Sequence, residues 1–281
     1  MKKTLWTLPL VAALLVVGSG FAYAIPSLAG PTGIVTVPTA AVAPEGELQT
    51  ALTYQSQQIA GQGMYGGDMD VSLWQLQALT GVSDEAELWA AYALADQETP
   101  TVSETANMWA FGGKYQLTRE PEDQTALAIG ASIEKWSDVI GMYSGAQDID
   151  AWKLYIVATK DFTPVSGDAW EWSAGGGTRI LGSVGIMYMS IDPDMSDRES
   201  LTRPFVGLEF VGVGGTTLGL EYRWKDSDLD MDAVFSAVLR HQVSPECSVE
   251  VGTTNATMFG LGLDDQDFFA RIGYNFPMGG A

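Results

Sequence analysis

The chain has 281 residues, 35 acidic and 14 basic side chains, and a net charge of −21. Such an acidic balance excludes a nucleic-acid binder, because phosphate contacts need clustered Lys and Arg. One cysteine, Cys247, excludes an intrachain disulfide framework, and one histidine, His241, excludes any site that needs two.

In chain order, the first feature is an address. Lys2 and Lys3 precede an apolar run from Leu5 to Val17, and Ala22-Tyr23-Ala24 gives a small-x-small cleavage site. Residues 1–24 therefore read as a secretory signal peptide cut after Ala24. No later stretch is apolar enough for a membrane-spanning helix, so a membrane role requires a closed barrel.

Residues 25–45 form a Pro/Gly-rich lead-in. Pro31, Pro38 and Pro44 with Gly30 and Gly33 prevent regular helix or central strand there. The expectation is an extended, fixed segment tucked into a barrel mouth, with an ordinary ordered loop as the alternative.

From residue 46 to 276 the period is two. Leu48, Leu52 and Tyr54 alternate with Glu47, Gln49, Thr53 and Gln55. The same alternation recurs around Trp74–Leu79, Glu87–Leu94, Trp109–Leu117, Leu127–Glu134 and Trp152–Ile156. It continues around Trp170–Trp172, Pro204–Phe210, Leu218–Trp224, Ala233–Arg240, Val249–Val251 and Phe268–Phe276. Apolar residues facing one way every second position, in segments of about ten, match tilted transmembrane strands. Short turns at 81–85, 118–123 and 243–246 alternate with longer polar loops at 57–69, 96–106, 137–149, 192–202, 225–230 and 256–267. The predicted fold is an all-β, up-and-down antiparallel transmembrane β-barrel of about 12 strands, or 14 if residues 178–191 add strands. A soluble two-sheet β protein is the competing fold. Aromatics near strand ends, such as Trp74, Tyr92, Trp109, Trp152 and Trp224, favour the membrane as interface girdles. Residues 277–281 form a short tail.

The stretch Gly30-Pro31-Thr32-Gly33 to Pro38-Thr39-Ala40, followed by Pro44-Glu45-Gly46-Glu47-Leu48, resembles the lead-in of YjbH-type outer-membrane proteins. Arg203–Glu209 with Gly219–Tyr222 resembles a paired-strand region of the same family. This resemblance implies a single short barrel module and a link to exopolysaccharide production. The strand Phe268–Phe276 resembles the signal read by the outer-membrane insertion machinery. The implied location is the outer membrane. The implied partners are its lipid, the insertion machinery and exopolysaccharide export components.

The inward faces carry Glu47, Glu87, Glu134, Glu171, Glu209, Glu221 and Glu250 with Lys114, Lys153, Arg223, Arg240 and Arg271. Opposite charges in a narrow barrel pair to offset desolvation. They read either as a polar lumen that selects solutes or as an ion-pair network that fills a closed interior, and about twelve strands favour filling. Asp226, Asp228, Asp230 and Asp232 alternate through a loop into a strand. A solvated acidic loop is the plain reading and a divalent-cation site the sharper one. There is no G-x-S-x-G elbow and no paired-histidine metal spacing. No residue is assigned to catalysis, no metal site is firm and no cofactor is expected. The function expected is therefore non-enzymatic, in envelope or exopolysaccharide export or porin-like passage. The alternatives are an outer-membrane enzyme acting on lipid or polysaccharide and a secreted glycan-binding β protein.

Overall fold

The computed structural model describes residues 26–59, 68–120, 125–140, 146–162, 178–194, 198–212, 214–225, 232–256 and 262–277. The proposed signal peptide, the tail after Pro277, Glu171 and Asp226, Asp228 and Asp230 lie outside them. Twelve strands follow in order: β1 (Glu47–Ile59), β2 (Met69–Ser83), β3 (Ala86–Glu98), β4 (Ser103–Glu120), β5 (Thr125–Ile140) and β6 (Ala146–Asp161). They continue as β7 (Arg179–Pro193), β8 (Glu199–Val211), β9 (Thr216–Arg223), β10 (Val234–Gln242), β11 (Cys247–Ala256) and β12 (Gly262–Pro277). Each pairs antiparallel with its chain neighbours, and β1 pairs β12 through Glu47↔Pro277 to Ser56↔Phe268, so the barrel closes without an edge. An even strand count puts both ends of the barrel domain at one rim, here called the terminal rim.

The wall has two zones, and their boundary follows from which face is apolar. In the zone nearer the terminal rim, large apolar side chains point outward: Leu76, Leu88, Phe111, Tyr115, Ile133 and Ile272 are each at least half exposed. Gln75, Gln77, Glu87, Lys114, Glu221 and Arg271 on the inner face of this zone are buried. That inverted arrangement is costly in water and favourable in lipid. Tyr54–Trp74, Trp109–Phe111, Trp152–Tyr188 and Tyr222–Trp224 stack along the upper edge of this belt. Beyond that edge the faces exchange character. Asp96, Glu98, Thr105, Asp150 and Ser200 point outward and are exposed, while Val71, Met108, Ile149, Met189, Ile191 and Leu201 point inward and are buried. The outer zone is thus a water-facing sleeve around its own apolar core.

This inversion corrects a sequence expectation. Parts of the polar stretches read as long loops are strand: β3 and β4 meet across a tight Thr99–Val102 turn, and β7 and β8 run to Pro193 and from Glu199. The strand expected at Trp170–Trp172 lies outside the described residues, and the seventh described strand is Arg179–Pro193, within the segment that could extend or add strands. β6 ends and β7 begins at the terminal rim, and residues 163–177 between them lie outside the described residues.

Inward rings meet glycines on the neighbouring strand. Tyr155 lies opposite Gly130, Phe205 opposite Gly185 and Phe269 opposite Gly252, and a Cβ at any of the three glycines would come within 2.5 Å of the facing ring. The missing side chain makes space for an aromatic that restores the packing.

The zone boundary gives a measurable expectation. Leu76→Arg, within the belt, should destabilise the folded barrel by about 2–4 kcal/mol in vesicles. Asp96→Arg, in the sleeve, should change it by less than about 0.5 kcal/mol. Urea unfolding in lipid checks both. Equal effects at the two positions would remove the boundary.

Candidate functional site: a lumen closed by the N-terminal segment

Residues 26–43 run inside the barrel, and Pro44 and Glu45 are exposed where the chain reaches β1. Ile34, Val35, Val37, Ala40 and Ala43 are at most 1% exposed, although none belongs to a strand of the wall. This segment has few internal backbone hydrogen bonds, including Ser27 N to Pro31 O and Ile34 N to Val37 O. Its other peptide groups need partners in a space without bulk water. The wall supplies them.

Glu221, on β9, is the centre of one cluster. Its carboxylate accepts from the backbone N–H groups of Val35, Thr36 and Val37 at 2.9–3.0 Å, and from the Thr36 hydroxyl. Arg223, two residues along the same inward face, donates to Thr36 Oγ1 at 2.7 Å. Glu87, on β3, centres the second cluster. It accepts from the N–H groups of Thr32 and Ala43 at 2.9 Å and pairs with Lys114 of β4 at 3.0 Å. Lys114 Nζ in turn donates to the carbonyls of Thr32 and Thr39. Both members of that pair have side chains with no exposure, so each depends on the other and on the peptide groups.

Several other carbonyls of the segment are met in the same way. Arg271 donates to Pro26, Gln77 to Ser27, Gln75 to Leu28, Arg240 to Gly33 and Ile34, and Gln116 to Ala40. Thr159 Oγ1 accepts from Ala40 N–H at 2.8 Å. Hydrogen bonds in which one partner is charged are the strong class, contributing about 1.5–3 kcal/mol each.

Shape agrees with polarity. Gly207 and Gly219 leave a notch that Ile34 fills, since a Cβ at either would lie 2.3 or 2.6 Å from the Ile34 side chain. Gly30, at φ 106°, lies on the Trp89 ring, and Gly112 lies against the same ring from the wall. Gly46, at φ 75°, turns the chain into β1, and Gly81 lets the Ala43–Pro44 backbone cross the wall closely.

The candidate lumen charges are therefore divided between two tasks. Glu87, Lys114, Glu221 and Arg223 hold the segment. Arg240 and Arg271 do both: they contact it, and they also bind Glu250 at 2.9 and 2.6 Å. Glu209 stands 3.5 Å from Arg240. Glu134 and Lys153 pair with each other beyond the segment's tip, and Glu47 accepts from Asn275 at the terminal rim. Of the acidic run, only Asp232 is described; it lies 3.9 Å from Lys225, and its carbonyl accepts from Arg203. No cluster of metal-ligating side chains occurs among the described residues. His241 sits at the terminal rim with Nδ1 2.9 Å from the Thr216 hydroxyl.

Sequence reasoning assigned no role to Arg203, nor to the carboxamides Gln75, Gln77 and Gln116 that cap peptide carbonyls. All four sit at inward positions of the alternation, which was the available signal. The counting of charges alone passed over the neutral amides.

One space in the lumen, of about 40 Å³, lies between the segment's tip and the outer core, beside Leu28, Met108, Trp136 and Met187. It has room for no more than a few waters. A second, of about 650 Å³, lies at the terminal rim among Gln49, Glu209, Arg240, Gln242, Asn275 and Pro26. The segment separates it from the outer half of the lumen.

No protein-family model and no curated protein matches this sequence. Solved structures do. An outer-membrane channel of the COG4313 group from Pseudomonas putida F1 superposes with a TM-score of 0.52 at 13% identity, over 84% of this chain and 98% of that one. The KdgM porin superposes with a TM-score of 0.50 at 12% identity, over 80% of this chain and 99% of that one. At these identities the likeness establishes the fold, a closed twelve-stranded barrel of the kind built by outer-membrane porins and channels.

Proposed function

We propose that this chain is a non-enzymatic, porin-like barrel of the outer membrane, closed at rest by its own residues 26–43. The observation that carries this reading is the capture of three consecutive backbone N–H groups by Glu221 inside the lumen. A segment held by its main chain, in a notch of glycines, is a built closure. Its chain runs into the wall at Gly46 and it forms no strand of the wall, so it can leave the lumen while the ladder stays intact. The lipid-facing belt and the fold shared with porins and channels support the location. The carboxylates are engaged with peptide groups and cations, which supports a role without catalysis.

Single-channel recording tests the reading. The full chain should show no steady conductance. A variant lacking residues 26–43 should conduct in discrete steps while keeping its heat-modifiable band on a gel. Silence from a correctly folded deletion variant would remove the porin reading and leave a filled scaffold.

A link to exopolysaccharide export is the second reading. It is favoured by one observation: the Gly30–Leu48 stretch that resembles the YjbH-type lead-in is the segment that closes the lumen. Lower polysaccharide secretion by cells lacking this protein would support it, and unchanged secretion would remove it.

A further inference from the structure

The contacts of the N-terminal segment are mostly main-chain contacts. Glu87, Glu221 and Thr159 read its N–H groups, while Lys114, Arg240, Arg271, Gln75, Gln77 and Gln116 read its carbonyls. Side-chain polarity enters through the hydroxyls of Thr32 and Thr36, and side-chain shape through Ile34 in its glycine notch. A wall that binds peptide groups is complementary to extended polypeptide as a class.

The space at the terminal rim extends the same chemistry beyond what the segment uses. Gln49 is 3% exposed, lines that space, and neither atom of its carboxamide has a partner. Gln242 Oε1 and Asn275 Oδ1, on the same lining, are also without partners. A buried amide with both donor and acceptor unused is costly unless something binds it. Both arginines there are already engaged, Arg179 with Asp161 and Arg240 with Glu209 and Glu250, while Glu246 accepts from the Ser244 hydroxyl. A neutral ligand that both donates and accepts fits this lining better than a polyanion. Carboxamides of the same wall already bind peptide carbonyls a few residues away.

We propose that the lumen wall and the terminal-rim space together form a binding site for an extended, neutral polypeptide segment of a second chain. Residues 26–43 occupy the inner part of this site as an intramolecular ligand. The incoming segment would enter from the terminal rim, pair first with Gln49, Gln242 and Asn275, and then replace the resident segment along Glu87 and Glu221. The proposal rests on the reading that the segment is a removable closure.

The test uses the full chain with a protease site inserted after Pro44, folded in detergent and then cut. The probe is a labelled synthetic peptide with the sequence of residues 26–43. Exchange of the cut segment for the probe is expected. A probe carrying N-methyl groups at the positions of Thr36 and Val37 should bind at least about a hundredfold more weakly, because two donors to Glu221 are gone. Retention of the cut segment through a large excess of peptide would overturn the proposal. Equal binding of the methylated probe, or displacement by a neutral linear oligosaccharide where the peptide fails, would also overturn it. Peptide exchange without any conductance after the segment leaves would instead remove the porin reading and keep this one.

Discussion

Glu221→Ala is expected to turn a silent barrel into a conducting one. The substitution leaves the N–H groups of Val35, Thr36 and Val37 without their acceptor, and leaves Arg223 beside them without its carboxylate neighbour. Breaking a buried charged network from one side costs about 3–5 kcal/mol. The ratio of docked to released segment should then fall by roughly two to four orders of magnitude. Discrete openings in planar bilayers would report the release. The heat-modifiable gel shift should persist, since the substitution changes only the side chain and leaves the Glu221 backbone paired with β8 and β10. Glu221→Gln keeps one acceptor oxygen and should fall between the two. An alanine variant as silent as the parent would show that the carboxylate is not what holds the segment.

The second large effect concerns shape. Gly207→Val places a side chain where Ile34 Cδ1 now lies, 2.3 Å from the position of a Cβ. Overpacking of this kind costs about 1–3 kcal/mol, and Ile34→Ala alone, which empties the notch, costs about 2–5 kcal/mol. Combined, the two substitutions refill the same space. Their effects on opening frequency should therefore be non-additive, with the double variant closer to the parent than the sum by at least about 1 kcal/mol. Strict additivity would place Ile34 away from Gly207.

The barrel was legible because its alternation is physically forced. Residues such as Leu88, Tyr92 and Leu94 against Glu87, Trp89 and Ala91 state both period and face. Two parts were not legible, each for its own reason. A strand that leaves the lipid exchanges its polar and apolar faces, so Asp96 and Glu98 read as loop although they continue β3. In β7, Gly182, Ser183 and Gly185 dilute the alternation, whereas Trp170-Glu171-Trp172 shows it over only three residues. The N-terminal segment was legible as irregular, from its prolines and glycines. Its partners were not, because a carboxylate that binds backbone N–H groups about 185 residues away leaves no spacing or residue-type signature. The inward glutamates were visible as charges, but pairing among charges was the only role their identities suggested. Glu250 with Arg240 and Arg271 plays that role, and Glu221 instead binds peptide groups.

The position of residues 26–43 inside the barrel carries the account, and it can be read by cysteine accessibility. Val35 is fully buried, and its replacement by cysteine in a Cys247→Ser background gives a single thiol. In the folded protein that thiol should resist a polar maleimide for hours, and it should react within minutes once the protein is boiled. Introducing Glu221→Ala into the same chain should remove the protection. A Val35→Cys thiol that reacts in the folded protein as fast as one at exposed Ser56 would place the segment outside the lumen and contradict the closure.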